Sequence, residues 1–148
     1  VGILQSGDRT NIVPDHALLK VEMRAAQREV LDETLAKLRA RAAAPLVDRT
    51  RISVHELDFC PPLEETPASM ALGKSAVEIA AELGFTPGLA RTGGVSDGNR
   101  VSALGVPTLD GLGPVGGGDH SPTEWLELAS VPGRVALLAE LIDRTARA

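Results

Sequence analysis

Apolar and polar positions in the first part of the chain predict a small α+β unit. Val1–Gln5 is mostly apolar and predicts a strand, and the partial alternation of Ala17–Arg24 predicts a second. Apolar residues recur at helical spacing over Gln27–Ala43, which predicts an amphipathic helix, and Thr50–Leu57 predicts a third strand. The helix positions are Val30, Leu31, Leu35, Leu38 and Ala42. The order β-β-α-β is typical of a helix on one face of an antiparallel sheet.

A proline-rich segment, DFCPPLEETP, follows this pattern. Its two consecutive prolines and the third at Pro67 exclude both helix and central strand. We therefore predict a crossing between two lobes, with domains at 1–60 and 61–148.

The second lobe begins with a strongly signalled helix. Thr66 is suited to cap it, Pro67 fits its first position, and Gly84 fits its carboxyl end. Its predicted buried stripe is Leu72, Ala76, Ile79 and Leu83.

The remaining pattern predicts α/β layering. Thr92–Asn99 is a glycine-rich loop that leads into a short helix, with Ser96 or Asp97 as its cap. Val106–Asp110 predicts a short buried strand, and Ser130 is the expected cap of a last helix. The residues of that helix expected to face inward are Val135, Leu138, Leu141 and Ile142. The predicted fold class is mixed α/β.

Composition narrows the classes of partner. Of 148 residues, 43% are hydrophobic, which is enough to form a core, and the formal net charge is −5. No basic stripe with interleaved aromatics occurs, so we expect no nucleic-acid partner. No apolar run approaches the ~20 residues of a membrane span. The single cysteine, Cys60, fits a reducing compartment, so we expect a cytoplasmic protein.

Because a strand begins at Val1, we also expect the chain to be part of a longer one.

Two glycine-rich loops hold the candidate chemistry. In GPVGGGDHSPTEW, three glycines and an acid precede His120, and both loops flank the predicted strand Val106–Asp110. Ligands of open α/β sheets bind at the carboxyl ends of strands, so the loops could converge on one pocket. The simpler interpretation of His120 is a solvated loop histidine, and Asp97 is first a helix cap. His16 and His55 are expected to be structural or solvated, and Cys60 a small packing residue.

Three segments in order resemble one family, the dinuclear-zinc amidohydrolases and peptidases. They are NIVPDHALLKVEMR, RTGGVSDGN and GVPTLDGLGPVGGGDHSPTEW. The family includes acetylornithine deacetylase, succinyl-diaminopimelate desuccinylase, aminoacylase and glutamate carboxypeptidase, and the last two segments look most like the glutamate-carboxypeptidase branch. The resemblance implies the second half of an α+β lid or dimerisation domain, followed by the C-terminal part of an α/β zinc-peptidase catalytic domain.

The resemblance also implies site residues. His120 falls at the position of the final zinc ligand, and Arg24 falls where an arginine helps to hold the substrate carboxylate. Asn11 matches a lid residue that reaches toward the active site, in several relatives that of the partner subunit. The implied pocket-lining residues are Gly93, Gly94 and Ser96.

The family's other zinc ligands and its glutamate base have no counterpart in this sequence. We therefore expect two zinc ions per subunit in the intact enzyme, no tight zinc binding by these 148 residues alone, no catalytic residue among them and no activity. The implied substrates are N-acyl amino acids or small peptides with a free carboxylate, and the implied assembly is a homodimer through the lid. The alternative is a stand-alone, non-catalytic α/β binding or dimerisation module.

Overall fold

The computed structural model describes residues 1–147, which form two compact units. The first unit is Val1–Pro62, and the second begins at Leu63. This division lies inside the proline-rich segment. The identities of the two parts as lid and catalytic domain stay predictions.

The first unit contains one two-stranded sheet and one long helix. Strands β1 (Ile3–Ser6) and β2 (Ala17–Lys20) pair antiparallel, with Ile3 opposite Lys20. Helix α1 (Arg28–Ala43) follows. Each of these elements overlaps its predicted range, so the three local patterns identified them correctly.

The predicted strand at Thr50–Leu57 is wrong. A strand needs a neighbour that exchanges backbone hydrogen bonds with it, and this segment pairs with no strand in the described chain. Side-chain contacts with α1 hold the region instead. Arg39 binds Glu56 at 2.7 Å, and the Arg28 guanidinium lies 4.3 Å from the centre of the Phe59 ring.

The first unit has no buried core. None of its residues is fully buried, and Leu4 and Leu19, which face each other across the β1–β2 ladder, are both exposed. The predicted α1 stripe is only half-buried at Leu31 and Leu35 and is exposed at Leu38. A two-stranded sheet with little apolar burial is marginally stable at best in water.

Helix α2 (Pro67–Glu82) begins as its sequence predicts. The Thr66 hydroxyl accepts a hydrogen bond from the Ser69 amide at 3.1 Å, and Pro67 occupies the first turn. A proline fits there because its missing N–H would have no partner inside the helix. The predicted cap is confirmed.

The carboxyl end of α2 also follows the prediction. Gly84 has a φ of +86°, and its amide donates to the Ala81 carbonyl while the Phe85 amide donates to the Ala80 carbonyl. This pair of bonds is the Schellman arrangement, which favours glycine because its φ is positive. The turn brings Phe85 against the core.

The core of the second unit lies between α2 and α4 (Val131–Arg147). Its fully buried apolar residues are Ala76, Ile79, Ala80, Leu137 and Leu141. The predicted inward positions Val135, Leu138 and Ile142 are wrong, because these side chains are exposed, and so is Leu83. Helix α4 has apolar residues on two faces, and the periodicity alone did not show which face meets α2.

An exposed ion network also joins the two helices. Arg144 on α4 binds Glu82 on α2 at 2.5 Å and Glu140 at 2.7 Å. Its hydrogen bonds hold the pKa of the Glu82 carboxyl below its usual range. Because these groups are solvated, their contribution to stability is small beside the apolar contact.

Short elements lie between the two long helices. Helix α3 spans Asp97–Ser102, and strands β3 (Gly116–Gly117) and β4 (Trp125–Leu126) form an antiparallel hairpin. The predicted strand Val106–Asp110 is wrong: its Leu109 packs against the core without strand pairing. A short 3₁₀ turn, Leu128–Ser130, precedes α4.

Ser130 does not cap α4 as predicted. Its hydroxyl donates to the Glu127 carbonyl at 2.7 Å and accepts from the Val115 amide at 2.9 Å.

The coarse prediction of mixed helix and strand is confirmed. No helix within residues 1–147 has the length and apolar character that crossing a membrane requires.

Replacing Thr66 by Ala should lower the free energy of unfolding by about 1 kcal/mol, because the Ser69 amide loses its cap. Urea unfolding followed by circular dichroism measures this change. Thr86→Ala is the control, since Thr86 is an exposed threonine of the same unit, and it should change stability by less than about 0.5 kcal/mol. Equal effects of the two substitutions would contradict the capping role.

Leu137→Ala should cost about 2–5 kcal/mol, because Leu137 is 0% exposed and its loss leaves a cavity against α2. The adjacent Leu138 is 43% exposed, and Leu138→Ala should cost about 1 kcal/mol or less. The same unfolding assay compares the two. A larger effect at Leu138 would mean that α4 is rotated relative to this packing.

Candidate functional site

The glycines before His120 are explained by the strand opposite them. Gly116 pairs with Leu126 and Gly117 with Trp125. A Cβ at Gly116 would lie 2.7 Å from the Trp125 carbonyl oxygen, and one at Gly117 would lie 3.1–3.2 Å from the Trp125 ring. A side chain at Gly116 would therefore force the hairpin backbone to shift, and one at Gly117 would require the Trp125 ring to move.

The hairpin loop consists of two consecutive turns. The Ser121 amide donates to the Gly118 carbonyl at 3.1 Å, and the Glu124 amide donates to the Ser121 carbonyl at 3.2 Å. Gly118 has a φ of +74°, and a Cβ there would lie 2.9 Å from the Thr123 carbonyl oxygen. Glycine is thus required at Gly118 both by its φ and by the close approach of the returning chain.

His120 occupies the third position of the first turn with a φ of +63°. Few side chains adopt this left-handed conformation, although histidine does so more often than most. The residue is exposed, and its ring has no hydrogen bond or ion pair with any other part of the described chain. Both ring nitrogens are therefore open to a ligand.

An imidazole of this kind is chemically suited to be one zinc ligand. Residues 1–147 contain no group of three or more His, Cys, Asp or Glu side chains that could hold a metal ion. A complete zinc centre therefore does not fit the described residues by themselves. His120 fits a single place in such a centre.

The second glycine-rich loop ends in a well-formed helix cap. The Ser96 hydroxyl accepts from the Gly98 amide at 3.1 Å, and the Asn99 side-chain oxygen accepts from the Ser96 amide at 2.9 Å. This reciprocal pair is a capping box, and it confirms Ser96 rather than Asp97 as the cap. The Asn99 side chain is almost completely buried, so the start of α3 is firmly fixed.

The elements that carry the two glycine-rich loops, α3 and the β3–β4 hairpin, do not contact each other. No Cα of α3 lies within 8 Å of a Cα of β3 or β4. Gly93 and Gly94 are exposed, as is His120. The expected convergence of the loops on one pocket stays a prediction.

Arg24 and Asn11 lie in the first unit and are exposed. Arg24 follows β2, and its guanidinium binds the Glu22 carboxylate at 2.6–2.7 Å. This contact holds the pKa of the Glu22 carboxyl below its usual range and raises that of Arg24. The guanidinium is thus already oriented by one carboxylate.

Neither of the other histidines nor the cysteine belongs to a metal-binding cluster in the described part of the chain. His16 is exposed and binds its neighbour Asp15 at 2.7 Å, and His55 is exposed. Cys60 is a half-buried free thiol. Ser121 was not among the residues predicted from the sequence, although its hydroxyl makes several hydrogen bonds within the hairpin loop. A serine directly before a proline is a turn signal, and it could have indicated this residue.

Comparison with known proteins agrees with the resemblance of the three motifs. Carboxypeptidase G2 of Pseudomonas sp. (strain RS-16) is 30% identical over 142 residues, covering 95% of this chain and 34% of the relative. Succinyl-diaminopimelate desuccinylase of Burkholderia vietnamiensis (strain G4 / LMG 22486) is 33% identical over 123 residues, covering 82% of this chain and 31% of the relative. The chain thus spans about a third of the length of these curated relatives.

The sequence model of peptidase family M20/M25/M40 matches residues 3–144, which is nearly the whole chain. The match includes both glycine-rich loops, Arg24 and His120. The chain belongs to peptidase family M20/M25/M40.

Proposed function

We propose that this chain is part of a zinc-dependent metallopeptidase or amidohydrolase. Its substrates would be N-acyl amino acids or small peptides with a free carboxylate, as for a glutamate carboxypeptidase. Membership of the family supports a hydrolase, and the names of both relatives fit cleavage beside a carboxylate-bearing group. The observation that carries the proposal is the unpartnered imidazole of His120 on a hairpin loop held by hydrogen bonds.

In this proposal His120 contributes one ligand to a centre of two zinc ions per subunit. A neutral imidazole nitrogen is a common zinc ligand, and a fixed backbone limits how far it can move. The other ligands, and any general base, would come from outside residues 1–147, because the described residues contain no group of three or more His, Cys, Asp or Glu side chains that could hold a metal ion. Residues 1–147 would contribute one metal ligand and the residues that recognise the substrate.

Arg24 would recognise the free carboxylate of the substrate. A guanidinium presents its N–H donors in a planar fork that matches the geometry of a carboxylate. Gly93, Gly94 and Ser96 would line the same pocket, where exposed backbone at the glycines permits close approach of a ligand.

The first unit would be part of a lid that forms a homodimer, with Asn11 directed toward an active site. Two observations support an association role. The unit has no buried core, and its two-stranded sheet has apolar residues exposed on β1 and β2. Exposed strand edges and apolar faces favour pairing with another chain.

We place the enzyme in the cytoplasm, in agreement with its single free cysteine.

His120→Ala in the full-length protein should remove about one zinc ion per subunit and nearly abolish turnover, because a metal ligand is lost. Metal analysis and steady-state kinetics with an N-acyl glutamate measure both. His55→Ala is the matched control, since His55 is an exposed histidine of the other unit, and it should keep zinc and activity. A His120→Ala protein with full zinc and full activity would show that the ligand is another residue.

Arg24→Ala should leave both zinc ions bound and reduce kcat/KM. A charge-assisted contact with a carboxylate contributes about 1.5–3 kcal/mol, which corresponds to roughly a ten- to hundred-fold loss. The loss should largely disappear with substrates that lack the free carboxylate. Arg51→Ala is the control, because Arg51 is an exposed arginine of the same unit. Loss of zinc from the Arg24 variant would contradict the separation of recognition from metal binding.

A further inference from the structure

His120 has a backbone conformation that needs support. A non-glycine residue at a φ of +63° is strained, and such residues persist only where the surrounding structure holds them. The histidine ring makes no hydrogen bond or ion pair that could do so within the described chain. The support must therefore come from the loop on either side of His120.

The Ser121 hydroxyl joins the two turns of that loop. It donates to the Gly118 carbonyl at 2.6 Å, the same oxygen that accepts from the Ser121 amide. It also accepts from the Thr123 amide at 3.2 Å and lies 3.0 Å from the Thr123 hydroxyl. With Thr123 as the second donor, the one hydrogen and both lone pairs of the hydroxyl are used.

Two of the neighbouring loop residues offer no replacement for this bridge. Pro122 has no amide hydrogen to donate, and Gly118 has no side chain. Ser121 is half-buried, while His120 beside it is exposed. Removing the hydroxyl would leave the first turn with its single backbone bond.

We propose that Ser121 is a positioning residue that holds the turn in which His120 is presented to the metal. The proposal rests on the proposed function of His120 and extends it to a neighbour that touches neither metal nor substrate. Ser121 acts through the backbone: the hydroxyl fixes the positive φ of His120 and thereby the direction of its imidazole.

The test compares Ser121→Ala with Ser121→Thr in the full-length protein. Ser121→Ala should weaken zinc binding about tenfold or more, the size of effect typical when a group that orients a metal ligand is removed. It should lower kcat by a similar factor and leave KM within about twofold, because substrate recognition lies elsewhere. Ser121→Thr keeps the hydroxyl and should restore both values to within about threefold of the parent.

Zinc affinity is measured by competition with a chelator, which is independent of activity. Ser53→Ala is the matched control, because Ser53 is exposed and makes no hydrogen bond within the described chain, and it should behave as the parent. The thermal midpoint of unfolding is followed in parallel. The hairpin contributes no residue to the buried core, so Ser121→Ala should fold.

Three results would overturn the proposal. They are parental zinc affinity in Ser121→Ala, failure of Ser121→Thr to restore it, and failure of Ser121→Ala to fold, which would give Ser121 a general structural role. His120→Ala separates this proposal from the proposed function. If that variant loses zinc while Ser121→Ala does not, only the role of Ser121 is wrong; if it keeps zinc, the assignment of His120 is wrong.

Discussion

The packing of α2 against α4 is the interaction on which the second unit depends. All the fully buried apolar side chains in residues 1–147 belong to these two helices, and Ile79 and Leu137 are the largest of them. The candidate site is linked to this core through the start of α4. Ser130, directly before the helix, accepts from the Val115 amide, and Val115 accepts from the Glu127 amide at 2.8 Å. The base of the His120 hairpin is thereby tied to the most stable part of the unit.

In the first unit, exposed polar contacts take the place of a buried apolar core. Its contacts between α1 and the following segment include an ion pair, Arg39 with Glu56, and the stacking of Arg28 on Phe59. Exposed interactions of this kind contribute little, because water competes for the charges. With no buried residue, the unit has little to offset the conformational entropy lost on folding. This is the physical reason for expecting such a unit to acquire its stability by association.

Local signals explain which parts of the fold could be predicted. Thr66, Gly84 and Ser96 form their caps with residues at most four positions away in sequence, so the chain near each of them contains the required information. The predicted strands Thr50–Leu57 and Val106–Asp110 failed because a strand is defined by a distant partner, and an apolar run can be buried without one. For α4, the helical period was right, but the choice between its two apolar faces depended on α2.

The candidate site also has one feature that the sequence could predict and one that depends on distant contacts. The motif identified His120, while the reason for its glycines was only visible in three dimensions. Gly116 and Gly117 are small because the Trp125 strand lies against them, and Gly118 is required by its φ. These glycines are thus needed to close the hairpin, independently of any ligand. In the role proposed for His120, a metal ligand must be held within narrow limits. The loop would do this with backbone turns instead of a buried side chain, since His120 is exposed in the described chain.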